Sequence, residues 1–289
     1  MNHSTRRFLK ASGLFAAALL LAACGKKEAP PPPPAAPAPA VAPAPAPAKV
    51  WVVGTDAAYA PFESQNEKGE IVGFTIDVVN AASAKAGIQV KFVNTPWEGI
   101  FNALQQGDRD MIASSVTITD ERKQTMDFTN PYFDAVQLIA VKESSKIAKF
   151  ADLKKAKVGV QTGTTGDEAV TKLLGKTSTN VKRFESTPLA LKELEAGGVD
   201  AVVADNGVVI HYVANNPGGK FKTVSDKEFV PEQYGFAVKK GNAELLGKMN
   251  EGLAAIKADG SYDTIYKKFF GAAPAAPAAA AAPAPAASK

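Results

Sequence analysis

Arg122 stands in the first turn of a predicted helix, at the end of Ser114-Ser115-Val116-Thr117-Ile118-Thr119-Asp120-Glu121-Arg122. A strand ends there in hydroxyls and a capped helix begins. A cation at that end opposes the helix dipole, which favours acids. The position makes sense if the guanidinium faces a bound anion, because its planar fork matches a carboxylate with two parallel hydrogen bonds. A salt bridge to Asp120, Glu121 or Asp127 is the plainer alternative. A second anion-friendly loop is Gln161-Thr162-Gly163-Thr164-Thr165-Gly166, between a strand and a helix. Free N–H groups at a helix N-terminus bind anions, and glycine lets the backbone come close. The loop lacks the Gly-Lys-Ser/Thr ending of a nucleotide P-loop. Asp205 follows the apolar strand Asp200-Ala201-Val202-Val203-Ala204. An acid there caps the next helix, pairs with a ligand ammonium, or does both.

Two aromatic loops complete the set. Gly54 to Phe62 places the carboxylate of Asp56 three residues before Tyr59, able to grip and stack a polar ligand unless Tyr59 and Phe62 simply plug the core. Asn94 to Ile100 sets Trp97 at a helix start, where it either caps a pocket or joins Ile100, Phe101 and Leu104 inside. Together these charges suit a zwitterion: Arg122 and the Thr165 region for a carboxylate, Asp205 for an ammonium, Tyr59 and Trp97 for the sides. Pairing each charge is what makes its burial tolerable.

The elements that must position these loops run from Val50 to Phe270. β-Branched runs predict strands at 49–55, 90–94, 110–116, 157–161, 181–184 and 200–204. Helical patterns cover 74–86, 97–106, 166–174, 188–196, 206–214 and 242–259, the last with Leu245, Met249, Leu253 and Ile256 on one face. Thr187-Pro188 reads as an N-cap followed by a first-turn proline. Such alternation implies an α/β fold with mostly parallel sheets, whose ligands sit at the carboxyl ends of strands. Periodicity leaves open whether this stretch makes one sheet or two lobes.

The flanks have a different composition. Residues 1–23 form a basic n-region with Arg6, Arg7 and Lys10, then an apolar run too short to span a bilayer, which is the layout of a signal peptide. Leu21-Ala22-Ala23-Cys24 resembles a bacterial lipobox, in which Cys24 becomes the acylated first residue; an ordinary cleaved signal is the alternative. Thr5 to Lys10 also looks like a twin-arginine signal without its usual spacer residue, so the general secretory route is the default. Residues 24–49 carry a Pro/Ala-rich linker, expected to be a semi-rigid spacer, and 271–289 a second Ala/Pro tail, expected to be disordered. Cys24 is the only cysteine, which excludes a disulfide, thiolate metal cluster or catalytic thiol in the folded body. The net charge of +4 belongs mostly to the leader: 33 less 3 basic residues against 29 acidic leaves +1, with no sign of nucleic-acid binding.

The motifs Thr55-Asp56…Tyr59…Pro61-Phe62-Glu63, Gly73-Phe74-Thr75-Ile76-Asp77, Ile118-Thr119-Asp120-Glu121-Arg122, Gly163-Thr164-Thr165 and Gly260-Ser261-Tyr262-Asp263 resemble solute-binding protein family 3, the polar amino acid-binding proteins of bacterial ABC importers. The resemblance spans essentially all of 50–270 and implies a two-lobe periplasmic binding protein fold of type II. Lobe 1 would hold 50–139 and 236–270, lobe 2 would hold 140–235, and crossovers would lie near Ile139–Lys142 and Tyr234–Val238. By the same likeness Arg122 binds the α-carboxylate, helped by Thr117 and the backbone around Ser115 and Thr165, while Asp205 binds the α-ammonium. Tyr59 and Trp97 would sandwich the side chain, with Ser114 and Asp56 near its polar end. Trp97 stands where these proteins often have phenylalanine. Ser114-Ser115 and the Gln161 loop look like the lysine/arginine/ornithine and histidine binders, whereas the lysine and histidine that glutamine binders carry at positions 161 and 204 are missing. The resemblance implies no cofactor and no metal. Its partners would be a free amino acid, an inner-membrane permease and the bilayer through Cys24, with a monomeric body on the periplasmic side of the envelope. Two rivals share the fold: a cyclohexadienyl dehydratase-like enzyme and a ligand-sensing module for a receptor. For the enzyme, His211, the sole histidine beyond the leader, sits in a predicted helix and reads as structural.

Overall fold

A computed structural model describes residues 49–271; the expected signal peptide, Cys24, the linker up to 48 and the tail from 272 lie outside the described residues. Strand β1 (Val50–Thr55) leads into a small antiparallel meander of β2 (Ala58–Tyr59), β3 (Glu63–Gln65) and β4 (Ile71–Val72). Helix α1 (Phe74–Lys85), β5 (Gln89–Asn94), α2 (Trp97–Gln106), β6 (Met111–Ile112), the one-turn α3 (Asp120–Lys123) and β7 (Met126–Phe128) follow. The chain crosses through β8 (Phe133–Ala135) into β9 (Gln137–Lys142), β10 (Val158–Gln161), α4 (Thr165–Leu174), β11 (Val181–Phe184) and α5 (Thr187–Ala196). After β12 (Ala201–Asp205), α6 (Asn206–Asn215) and β13 (Phe221–Val224), it returns through β14 (Glu232–Tyr234) to β15 (Ala237–Lys239), α7 (Ala243–Ala258) and α8 (Ser261–Phe270).

Two five-stranded sheets result, in the orders β5-β1-β6-β15-β7 and β11-β10-β12-β9-β13. Each has four strands that run one way and one that runs against them, because β9 and β15 each enter their sheet from a crossing segment. The crossing itself is a two-stranded antiparallel ribbon, β8 with β14, pairing Tyr234 with Phe133 and Glu232 with Ala135. This corrects the expected crossovers and the boundary at residue 139. Ile139 lies mid-strand in β9, whose hydrogen bonds to β12 and β13 commit it to the second sheet from Gln137 onward. Likewise Ala237 and Val238 are already paired into the first sheet.

Period-two alternation explains why each sheet is covered on both faces. In β12, Ala201 and Val203 enter one apolar cluster with Val158 and Leu153, while Val202 and Ala204 enter another with Leu191 and Leu194. In the first lobe Met111 joins Trp51, Val53 and the α1–α7 layer, whereas Ile112 joins Ile100 and Leu104 of α2 on the opposite side. Every predicted helix forms within two residues of its expected limits. One cap differs: Ser186 precedes α5, and the Thr187 hydroxyl instead donates to Gln161 Oε1 at 3.0 Å.

Helix α7 seats the predicted face of Leu245, Met249, Leu253 and Ile256, and between them Gly252 meets α1. A Cβ on Gly252 would fall 2.1 Å from the carbonyl oxygen of Ala82, while Gly247 on the same helix faces open space. Gly252→Ala is therefore expected to cost about 1–3 kcal/mol by overpacking. Gly247→Ala should be neutral or stabilising by up to about 1 kcal/mol through helix propensity. Urea unfolding of the two variants checks both signs.

Candidate functional site

The carboxyl ends of β1, β6, β10 and β12, two strands from each sheet, deliver polar loops to a shared cleft. The cavity there, about 350 Å³ with its open mouth included, is lined by all nine residues singled out in the sequence, together with Gln161 and Thr164.

Asp205 ends β12 and is 7% exposed. Its side chain does not cap α6. Instead Oδ2 accepts hydrogen bonds from the hydroxyls of Tyr59 at 2.6 Å and Tyr234 at 2.7 Å, and Oδ1 accepts one from the Gln137 amide. Burial, reinforced by the nearby charge of Glu232, raises its pKa to about 6 against the pull of these three donors. Four lone-pair sites on a carboxylate leave room for one more donor. Tyr59 is thus both a wall and a donor, its ring stacked on Phe62 at 6.2 Å.

Arg122 forms none of the salt bridges weighed from sequence: Asp120 pairs with Lys123 and Asp127 with Lys240. The guanidinium reaches across the cleft, donating through Nη1 to the Thr117 carbonyl at 2.9 Å and through Nη2 to the Gly163 carbonyl at 3.3 Å. Its carbon lies 5.5 Å from the Trp97 ring and 5.4 Å from that of Phe101, within cation–π range. Burial lowers its pKa, opposed by the charges of Glu168, Glu232, Asp205 and Glu121. A guanidinium stays charged regardless. With two of its five N–H groups engaged, the rest have no acceptor among the described residues.

Trp97 is 7% exposed and meets Phe101 edge to face at 4.9 Å, so it is core and cavity wall at once. At Asp56 the backbone N–H donates to Ser114 Oγ at 2.9 Å, and Oδ2 faces the Gln161 amide at 3.4 Å. Burial raises the Asp56 pKa, and no cation pairs with it among the described residues. Gln161 is itself fixed by the Glu185 carbonyl at 3.0 Å and by Thr187. Ser115 holds a left-handed backbone, φ 49°, with its hydroxyl donating to the fully buried Glu63 at 3.1 Å. Burial holds the Glu63 carboxyl well above the usual range.

Thr117 and Thr165 line the cavity, yet both hydroxyls donate to Glu232 Oε2, at 2.7 and 2.8 Å. Both hydroxyls are thereby engaged within the protein. Sequence reasoning missed Tyr234, Gln137 and Glu232, which come from the ribbon and the start of β9. Gln161 and Thr164 belonged to a loop already marked and were not carried into the site. His211 lies on α6 outside the cavity lining, and no group of His, Cys, Asp and Glu suited to a metal occurs among the described residues.

A family model described as bacterial extracellular solute-binding proteins, family 3, matches residues 51–272. A probable histidine-binding protein of Neisseria gonorrhoeae is 43% identical over 90% of this chain and 94% of its own length. An L-arginine-binding protein of Pseudomonas aeruginosa is 36% identical over 75% of this chain and 86% of its own. Among solved structures, the arginine-, lysine-, histidine-binding protein ArtJ of Geobacillus stearothermophilus superposes with a TM-score of 0.76 at 47% identity, covering 78% of this chain and 97% of that one.

Tyr234 is fully buried, so Tyr234→Phe deletes one donor to Asp205 without changing shape. The variant is expected to lose about 1–3 kcal/mol of stability and to raise the Asp205 pKa further, since a bond favouring the charged form is gone. Denaturant titration and carbon-13 detection of the carboxyl resonance measure the two effects.

Proposed function

The chain belongs to family 3 of the bacterial extracellular solute-binding proteins, and from that premise we propose that it captures a basic L-amino acid in the interlobe cleft and hands it to an ABC importer. The observation that carries the reading is the pair of opposite charges across one cavity. Arg122 offers unused N–H groups to an α-carboxylate, and Asp205 keeps an acceptor site for an α-ammonium. The backbone around Ser115, Thr117 and Thr165 completes the carboxylate site. Tyr59 and Trp97 flank the side chain, and Ser114 lies near its polar end.

The preference for a basic side chain rests on Asp56. A buried carboxylate with a raised pKa and no counter-ion gains most from a cationic partner. Gln161 beside it supplies an amide that a guanidinium or imidazole tolerates. The relatives, named as histidine- and arginine-binding proteins, point the same way. Those names describe binders, and this chain is a binder rather than an enzyme.

The body works outside the cytoplasm, as the family description states. We read residues 1–23 as the export signal and Cys24 as a lipid anchor, with the Pro/Ala linker giving the body reach from the membrane. Its partners in this reading are an inner-membrane permease and the bilayer. The lobe limits that accompany it place 50–132 and 235–270 in one lobe and 136–231 in the other, with β8 and β14 between.

Calorimetric titration of unfolded and refolded protein against the amino acids and ornithine tests the assignment. Arginine, lysine, ornithine or histidine should bind, and Arg122→Ala should abolish binding while leaving the unfolding midpoint nearly unchanged. Normal binding by Arg122→Ala would overturn the pocket assignment.

The pH dependence has a definite sign. Asp205 accepts an ammonium only when ionised, and its free-state pKa is about 6. Arginine affinity should therefore hold near pH 7.5 and fall about tenfold by pH 5, since each unit below a pKa removes tenfold of the charged form. A flat profile over that range would exclude Asp205 as the ammonium partner.

A further inference from the structure

Glu232 sits on β14, one of the two strands that join the lobes, and no reading of the ligand's contacts requires it. Its Oε2 collects two hydroxyls from opposite sides: Thr117, which follows β6 of the first sheet, at 2.7 Å, and Thr165, the first residue of α4 over the second sheet, at 2.8 Å. Its Oε1 accepts from the Gln137 amide, at the start of β9, at 3.1 Å. Thr117 is further tied to the ribbon by a backbone bridge to Tyr234. These three donors therefore converge on a single carboxylate, which joins Thr117 beside the first sheet to Thr165 beside the second. Hydrogen bonds to an ionised acceptor are roughly twice as strong as neutral ones. Opening the lobes must break at least one of the two, because one oxygen cannot follow both.

We propose that Glu232 is a positioning residue that latches the two lobes in the shut arrangement, setting how long a captured ligand is held. This rests on the functional reading for its ligand, not for its geometry. The latch also accounts for hydroxyls that line the cavity yet are engaged within the protein: Thr117 and Thr165 serve closure.

The test compares the wild type with Glu232→Ala and Glu232→Gln. By stopped-flow fluorescence with arginine as ligand, Glu232→Ala should release it about tenfold faster with little change in association, since such losses fall mainly on dissociation. Glu232→Gln keeps an oxygen acceptor and should lie between the two. Release by Glu232→Ala within about twofold of wild type overturns the latch. A second arm needs no ligand: amide hydrogen exchange should rise in both 117–123 and 163–168 in Glu232→Ala, and no rise in either segment also overturns it. If the wild type binds no amino acid, the functional reading fails while the exchange arm still decides the latch.

Discussion

One buried carboxylate organises this molecule. Asp205 sits at the end of an apolar strand where an unpaired charge would be untenable, and its three donors come from three different parts of the chain. Tyr59 reaches it from the meander of the first lobe, Tyr234 from the linking ribbon, and Gln137 from the first residue of β9 in the second sheet. Satisfying that acid therefore fixes how the lobes and their link meet. The compensation is incomplete, which leaves Asp205 basic enough to respond to an incoming ammonium.

The opposite wall follows a complementary logic. Arg122 is held by carbonyl oxygens and aromatic faces rather than by an acid, so its charge is oriented without being neutralised. Asp56 is likewise held by an amide and a backbone hydrogen bond network instead of a cation. A site built from charges that are positioned but not paired internally favours a ligand carrying the missing counter-charges.

Legibility in the sequence tracked how local the signal was. The run Ala201 to Ala204 ending in Asp205, the spacing of Leu245 to Ile256 and the out-of-place cation at Arg122 are all patterns within a few residues; the structure puts Asp205 and Arg122 on the cavity wall and Leu245 to Ile256 in the core. The two-residue strands of the meander and the β8–β14 ribbon are too short for any period to show. The meander strands pair only with one another, whereas the ribbon exists because each strand finds a partner about a hundred residues away, as Gln233 does with Asp134. The same nonlocality hid Glu232 and Gln137, polar residues with no local pattern around them. Thr187 was read as a cap because its neighbour is proline, but a buried amide on β10 claimed its hydroxyl. The family likeness supplied the two-lobe arrangement that periodicity left open, and it misplaced the crossing because β9 is a continuous strand through the proposed boundary.

Strand β15 lies inside the first sheet, between β6 and β7, yet it is encoded after the whole of the second sheet. The helices α7 and α8 that cover the Trp51 and Phe74 layer come later still. The second sheet, from β9 to β13, is an unbroken stretch of chain. A ribosome therefore finishes every strand of the second lobe before the first lobe has its inner strand or its covering helices. The half that begins first is completed last, and its apolar α1 face waits uncovered while the intervening segment is made. Long sequence separations of this kind slow folding.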